Sequence, residues 1–171
     1  MFKMMEGPEV IKEGVLQVAR LMAISAITAP KGRGLSNIEV KVLDKKEELE
    51  QLATTMEEMA REYGDFFARD ASNIRRSDAV VLIGGRIVDF KMKQPREFEI
   101  DLNLAMSLIN LGIAVGSAVK TASLLNIDNR VMYTVGVAAK KLKLLEADVV
   151  LGIPLSATAK NIFFDRVWPP K

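Results

Sequence analysis

The sequence contains no cysteine and no histidine. Without cysteine, a chain cannot form disulfides, use a thiolate nucleophile, or hold zinc or an iron–sulfur cluster through thiolates. Without histidine, it also lacks the usual general base at neutral pH and the commonest metal ligand. Serine-hydrolase triads and histidine-based metal sites are therefore excluded. Any chemistry must come from carboxylate, amine, guanidinium or hydroxyl side chains, or from a bound cofactor.

The chain also carries little net charge, because 24 basic and 22 acidic side chains leave a formal charge of +2. Such a balance, with no run of Arg and Lys between aromatic residues, predicts neither a nucleic-acid surface nor a membrane surface. The opening segment, MFKMMEGPEVIKEG, lacks the apolar run of a signal peptide. We therefore expect a cytoplasmic protein, and 171 residues suit a single domain over residues 1–171.

One long uncharged stretch stands out, residues 102–119 (LNLAMSLINLGIAVGSAV). Apolar residues lie on every side of its helical wheel, which is typical of a core helix or a membrane span. A span needs about 20 predominantly apolar residues, and this stretch is shorter and is interrupted by Asn103, Ser107, Asn110 and Ser117. The sequence therefore favours a buried central helix over a membrane span.

Two glycines on this helix share one face. Gly112 and Gly116 are four residues apart, and Ser117 adds a further small side chain beside them. A face of small residues allows close approach of another backbone, and this tight packing is the interpretation we favour. The alternative is a slot for a planar cofactor.

The periodicity of the whole chain predicts alternating helices and strands. Helices are expected over residues 7–28, from a cap at Asp44 with Glu47 as its partner and on through Phe66-Phe67 to Asp70, over residues 98–125, and over residues 137–144. Strands are expected at residues 37–43, 79–83, 131–135 and 147–153, the last ended by Pro154. This order indicates an α+β or α/β fold in three layers, with a sheet of about four strands.

Two polar segments leave alternatives open. The loop TAPKGRG at residues 28–34 combines Lys31 and Arg33 with two glycines, so it is either a phosphate-binding loop or a solvated basic turn after a helix. Arg69, Asp70, Arg75 and Asp78 crowd a second segment, which is either a site or a salt-bridge cluster. We favour the structural interpretation of both.

The C-terminal tail, residues 160–171, is rich in large apolar side chains, including Phe163, Phe164 and Trp168. Side chains of this size need cover from other parts of the molecule. We therefore expect the tail to dock on its own domain or on a partner subunit.

From residue 111 to residue 166 the sequence resembles a family of prokaryotic uncharacterised proteins described as ferredoxin domain-containing. Its most specific pieces are Asp128-Asn129-Arg130, Gly152-Ile153-Pro154-Leu155 and Lys160-Asn161. The family typically carries a cysteine cluster before the central helix, where this chain reads GGRIVDFKMKQPREFEIDLNLAM. Since thiolates hold such clusters, the resemblance implies a member of the family without an iron–sulfur cluster.

A second resemblance is to the flavin-dependent nitroreductases, carried by Ala29-Pro30, Gly116-Ser117 and Leu151-Gly152-Ile153-Pro154. It implies a nitroreductase-like fold, a homodimer, flavin mononucleotide (FMN) at the dimer interface and tails that embrace the partner. The implied cofactor-binding residues are Lys31, Arg33, Asn37, Gly116, Ser117 and Lys160.

Two functions follow from these observations. The first is a flavin-binding, oxidoreductase-like protein, in which the cations of the candidate set hold the phosphate. The second is a cofactor-free structural or interaction protein that keeps the fold without the chemistry. The discriminating feature is whether Lys31, Arg33 and Lys160 converge on one cleft.

Overall fold

The computed structural model describes residues 5–164. Five helices, α1 to α5, and four strands, β1 to β4, are found there; a short 3₁₀ turn, Gly32–Gly34, follows α1. The helices span Gly7–Thr28, Lys46–Tyr63, Phe66–Arg75, Leu102–Leu124 and Tyr133–Lys141. The strands span Ile38–Leu43, Ala79–Gly85, Asp128–Asn129 and Val149–Ser156.

The four strands form one sheet in the order β1-β2-β4-β3, with every neighbouring pair antiparallel. β2 is buried along its whole length because it has a strand on each side and helices on both faces. In the register, Ile38 lies opposite Gly85 at one end of the sheet, and Leu43 lies opposite Val80 near the other. We call these the Gly85 end and the Val80 end.

Helices cover both faces of the sheet, so the molecule has three layers with one apolar core on each side. α1 and α4 pack on one face around Val81, Ile83 and Ile153. α2, α3 and α5 pack on the other face around Val80, Leu82 and Val150. Alternate residues of one strand thus enter different cores, as the pleat of a strand requires. The predicted three-layer α+β fold with four strands is confirmed.

The central helix differs from the prediction in how it is buried. α4 begins at Leu102, where the Asp101 side chain accepts a hydrogen bond from the Leu104 N–H. Only one face of α4 is covered, by α1 and the sheet. Among the described residues α4 is the one helix long and apolar enough to cross a membrane. Its covered face nevertheless forms part of the domain core.

Two helix boundaries in the first half differ from the sequence expectation. The capping box of α2 lies one residue later than predicted, with Lys45 as the cap and Glu48 as its partner. The helix does not continue into residues 66–70, because Gly64 adopts a φ of 114° that ends α2. A new helix, α3, then begins at Phe66.

The prediction that Pro154 ends the last strand was wrong. Leu155 accepts a hydrogen bond from Asp78 on the β2 side, whereas Gly152 exchanges hydrogen bonds with Met132 on the outer side. The backbone N–H and C=O groups of successive strand residues point to alternate sides of the strand. The Pro154 nitrogen therefore points outward, between the Met132 bridge and β3. No N–H donor is needed at that position, so proline is tolerated within β4.

The strand predicted at residues 131–135 was also wrong. Only Met132 makes a β-bridge, and α5 begins at Tyr133 and ends at Lys141. The apolar residues Val135 and Ala138 lie in the core, where helix α5 packs closely on β4. An ideal Cβ on Gly136 would lie 1.7 Å from the Val150 carbonyl oxygen, so only glycine allows this approach.

Candidate functional site

The polar residues that interrupt α4 hold two loops at the Gly85 end of the sheet. Asn110 Oδ1 accepts a hydrogen bond from the Gly32 N–H over 2.9 Å, and Asn110 Nδ2 donates to Asn37 Oδ1 over 3.0 Å. Asn37 in turn donates to the Arg86 carbonyl. Both asparagines are buried, and their amides are satisfied by this network, as buried polar groups require.

The same stripe of α4 fixes the loop between β2 and α4. Ser107 Oγ accepts from the Val88 N–H, and Asn103 Oδ1 accepts from the Phe90 N–H. Arg33 Nη1 donates to the Phe90 carbonyl over 2.6 Å. Asn103, Ser107 and Asn110 lie on one helix face. Hydrogen bonds therefore hold this loop along α4. The loop belongs to the segment in which the resembled family typically carries its cysteine cluster.

Lys31 is committed to the end of α1. Its ammonium donates to the carbonyls of Ala26, Ile27 and Ala29 at 3.3, 2.6 and 2.7 Å. These are carbonyls at the helix C-terminus that lack helical partners. A cation there also interacts favourably with the negative end of the helix dipole. Burial lowers the pKa of Lys31. The structural interpretation of the basic loop therefore accounts for Lys31.

Gly116 and Ser117 lie on the uncovered side of α4. Nothing lies within 4 Å of an ideal Cβ on Gly112 or Gly116, so the small face is open and does not serve tight packing within the chain. Ile109 and Ile113 flank it with 50% and 40% of their surfaces exposed. On the neighbouring helix α1, apolar side chains are also exposed, at Leu21, Ile24 and Ile27.

Lys160 lies at the opposite end of the sheet from Lys31 and Arg33. It follows β4 by four residues, and the next residue, Asn161, donates to Asp128 in β3. The loop with Arg33 precedes β1 at the Gly85 end. At about 3.3 Å per residue, the seven residues of β2 separate the two ends by roughly 20 Å. Lys31 and Arg33 thus lie near Asn37, and Lys160 does not join them within one chain.

The start of the C-terminal tail is fixed on the domain. Ile162 and Phe163 are buried in the core of α2, α3 and α5. Arg130 donates to the Phe163 carbonyl and stacks over the Phe164 ring. Residues 128–130 and 160–161, two of the three most specific pieces of the sequence resemblance, therefore meet in space. The rest of the tail, residues 165–171, lies outside the described residues.

The second polar segment separates into independent groups. Asp70 is buried, accepts a hydrogen bond from Thr134 over 2.8 Å and pairs with Arg69. Arg75 instead bridges Glu50 and Glu57 on α2. The Asp70–Thr134 bond joins α3 to α5 and was not predicted, because the two residues are 64 positions apart. The salt-bridge interpretation accounts for Arg69 and Arg75.

Aromatic rings surround the junction of α3 and α5. Phe66 and Phe67 both contact Tyr133, at centroid distances of 6.0 and 5.9 Å. Tyr133 remains 53% exposed. Among residues 5–164, no group of three acidic side chains is close enough to hold a metal ion.

Comparison with known proteins shows which family this chain belongs to. Residues 102–166 match the model of a family described as uncharacterized proteins containing a ferredoxin domain. A protein from Archaeoglobus fulgidus, described only as uncharacterized, is 45% identical over 172 aligned residues, which cover 90% of this chain and 92% of the relative.

Solved structures with the same fold include proteins described as a nitroreductase and as an oxidoreductase. A nitroreductase with bound FMN from Desulfitobacterium hafniense superposes with a TM-score of 0.60 at 15% identity, covering 99% of this chain and 84% of that one. The hypothetical oxidoreductase YcnD from Bacillus subtilis gives a TM-score of 0.59 at 14% identity and covers 85% of this chain. The chain spans only 58% of the length of YcnD.

At these identities the solved structures establish the fold and nothing finer. The nitroreductase-like fold expected from the sequence is thus confirmed. The family follows from the archaeal relative and from the matched segment, which contains α4, α5 and β4. This chain belongs to the family of uncharacterized proteins containing a ferredoxin domain.

Proposed function

We propose that the protein is a homodimer that binds FMN between its two copies and acts as a flavin-dependent oxidoreductase. The observation that carries this proposal is the open small-residue face of α4, at Gly112 and Gly116, in a fold shared with an FMN-bound nitroreductase. Exposed isoleucines flank this face and α1 continues it with further exposed apolar residues. An apolar surface of this kind is typical of a protein interface.

The separation of the cations requires two copies. Lys31 already donates to three carbonyls, so Arg33 is the candidate phosphate ligand near Asn37, and the set expected from the sequence adds Lys160. Within the described residues, Arg33 uses one guanidinium nitrogen on backbone carbonyls, and its remaining donors suit a phosphate. Because Arg33 and Lys160 lie at opposite ends of the sheet, they can meet one phosphate only across a dimer interface.

The flavin, when bound, would supply the electron-transfer chemistry. The chain's own part is to bind and orient it. Gly112, Gly116 and Ser117 would leave room for the flat ring, and Ile109 and Ile113 would exclude water from it. Asn37 and Asn110 would hold the Arg33 loop in place beneath the phosphate. The cytoplasmic location expected from the sequence belongs to the same proposal.

The test is flavin retention and oligomeric state in matched variants. Purified protein is incubated with FMN, desalted and measured by absorbance, and its mass is measured by light scattering after size exclusion. Gly116→Leu should abolish retention because it fills the open face. Ile113→Glu should give a monomer that retains no flavin. Gln51→Leu, at an exposed position of α2 on the other layer, is the control and should behave as wild type.

Wild-type protein that is a monomer and retains no FMN would contradict the proposal. A dimer that retains no FMN would support a second candidate, the cofactor-free interaction protein. The specific observation in favour of this candidate is that Lys31, Arg33 and Lys160 do not converge within one chain. In that case the apolar faces of α1 and α4 would serve subunit association alone.

A further inference from the structure

A charged cavity of about 220 Å³ lies at the Val80 end of the sheet, away from the Arg33 loop. Its walls come from α1, the turn between β1 and α2, the start of α2, the end of α3 and the turn before β2. The side chains that give it charge are Lys12, Asp44, Lys46, Glu50, Arg75 and Asp78. The sequence analysis singled out Asp78, and the proposed function does not use it.

Arg75 forms part of the wall of this cavity. Its Nε donates to Glu50 over 2.9 Å, and its terminal nitrogens pair with the two carboxylate oxygens of Glu57. Because two carboxylates share this one guanidinium, Arg75 offers no free positive charge to a ligand, and this part of the wall carries a net negative charge. Arg75 therefore joins α2 to α3 and fixes the shape of this side of the cavity.

The other four charged groups are not paired with one another. Within the described residues, Lys12, Lys46, Asp44 and Asp78 make no ion pair within 4.0 Å. Two positive and two negative groups thus face a common space. Asp78 is half-buried and accepts a hydrogen bond from the backbone of Ala157. Burial raises the pKa of the Asp78 carboxyl, and the charge of Lys12 offsets this only in part, so a ligand cation would further stabilise the partly desolvated carboxylate.

The charge pattern selects the ligand. A simple anion would be attracted by the two lysines but repelled by the two carboxylates. A simple cation would be attracted by the carboxylates but repelled by the lysines. An apolar molecule would desolvate four charged groups without compensation. A molecule with one ammonium and one anionic group can satisfy both pairs together. The first turn of α2, where Lys46 lies, adds backbone N–H groups that favour an anion.

We propose that the charged cavity binds a small zwitterion, with its ammonium group on Asp78 and Asp44 and its anionic group on Lys12, Lys46 and the N-terminus of α2. The site is independent of the flavin proposal, because none of the residues proposed to hold the flavin lines it. The chemical class is that of an amino acid or a short amino carboxylate.

The experiment is a titration of the full-length protein followed by ¹H–¹⁵N NMR. The probes are glycine, β-alanine and 4-aminobutyrate, which place the two charges at increasing separation. Ethylammonium chloride, sodium propionate and inorganic phosphate are the singly functional controls. We expect one zwitterion to shift the amide signals around Asp44 and Asp78, with at least about tenfold tighter binding than any control.

Variants then locate the binding. Asp78→Asn and Lys12→Gln should each weaken zwitterion binding at least about tenfold. The control variants Asp65→Asn and Lys141→Gln remove the same charges at exposed positions elsewhere and should leave binding unchanged. Circular dichroism establishes that each variant is folded. Equal binding of propionate or phosphate would show a simple anion site and overturn the proposal. So would unchanged binding in Asp78→Asn, or no shift with any of the three zwitterions.

Discussion

Asn110 and Asn37 are 73 residues apart in sequence, yet their side chains share a hydrogen bond of 3.0 Å in the interior of the protein. The bond joins the middle of α4 to the residue before β1. Each asparagine also bonds a loop backbone, at Gly32 and at Arg86. The position of the Arg33 loop, and with it the proposed phosphate site, therefore depends on one pair of buried amides.

Replacing Asn110 tests this dependence. Asn110→Leu keeps the branched shape of the side chain but removes both of its polar atoms, so the Gly32 N–H and Asn37 Oδ1 lose their partners. Two unsatisfied polar groups should cost about 2–4 kcal/mol in the free energy of unfolding, measured by urea denaturation. Ser123→Ala, at an exposed position on the same helix, should change it by less than about 0.5 kcal/mol. An Asn110 variant as stable as wild type would show that the network is dispensable.

Lys31 should affect stability and not flavin retention. Lys31→Gln removes a cation that donates to three carbonyls at the end of α1, so we expect a loss of about 1 kcal/mol in unfolding free energy. If FMN is retained by wild type, the variant should retain it too. Loss of FMN from a variant of near wild-type stability would return Lys31 to the phosphate site.

Two helical glycines should respond oppositely to alanine. Gly136→Ala places a Cβ 1.7 Å from the Val150 carbonyl oxygen, and we expect a loss of about 3 kcal/mol or more, or failure to fold. Gly14→Ala, where nothing lies within 4 Å of the added Cβ, should stabilise α1 by about 0.5–1 kcal/mol. Thermal unfolding followed by circular dichroism measures both. Equal effects would mean that α5 can move away from β4 at little cost.

Arg75 should control the titration of Glu57. Its hydrogen bonds lower the pKa of the Glu57 carboxyl in the folded protein. A carboxyl with a lowered pKa stabilises the fold at pH values above its ordinary pKa, and this contribution is lost as the pH falls through the lowered value. In Arg75→Gln, the pKa of Glu57 should return towards its ordinary value, measured by NMR. Arg76→Gln, at the next exposed position, should leave it unchanged.

The sequence by itself determined the layers and most of the elements. Alternation at residues 38–43 and the apolar run at 79–83 predicted β1 and β2, and the uncharged stretch predicted α4, because these signals depend on local periodicity. The absence of cysteine determined that thiolates cannot hold a cluster here. The resemblances identified both the family and the nitroreductase-like fold.

The tertiary structure decided what local patterns cannot express. Residues 131–135 are apolar enough for a strand. In the structure, however, α5 begins at Tyr133, and Gly136 allows this helix to pack against the backbone of β4. Pro154 stays within β4 because its nitrogen faces a side that needs no donor. The sequence allows Lys31, Arg33 and Lys160 to form one phosphate site, but the antiparallel sheet puts Lys160 at the opposite end of the sheet from the other two. Pairings across 64 or 73 residues, such as Asp70 with Thr134 and Asn37 with Asn110, arise only when helices from different parts of the chain pack together.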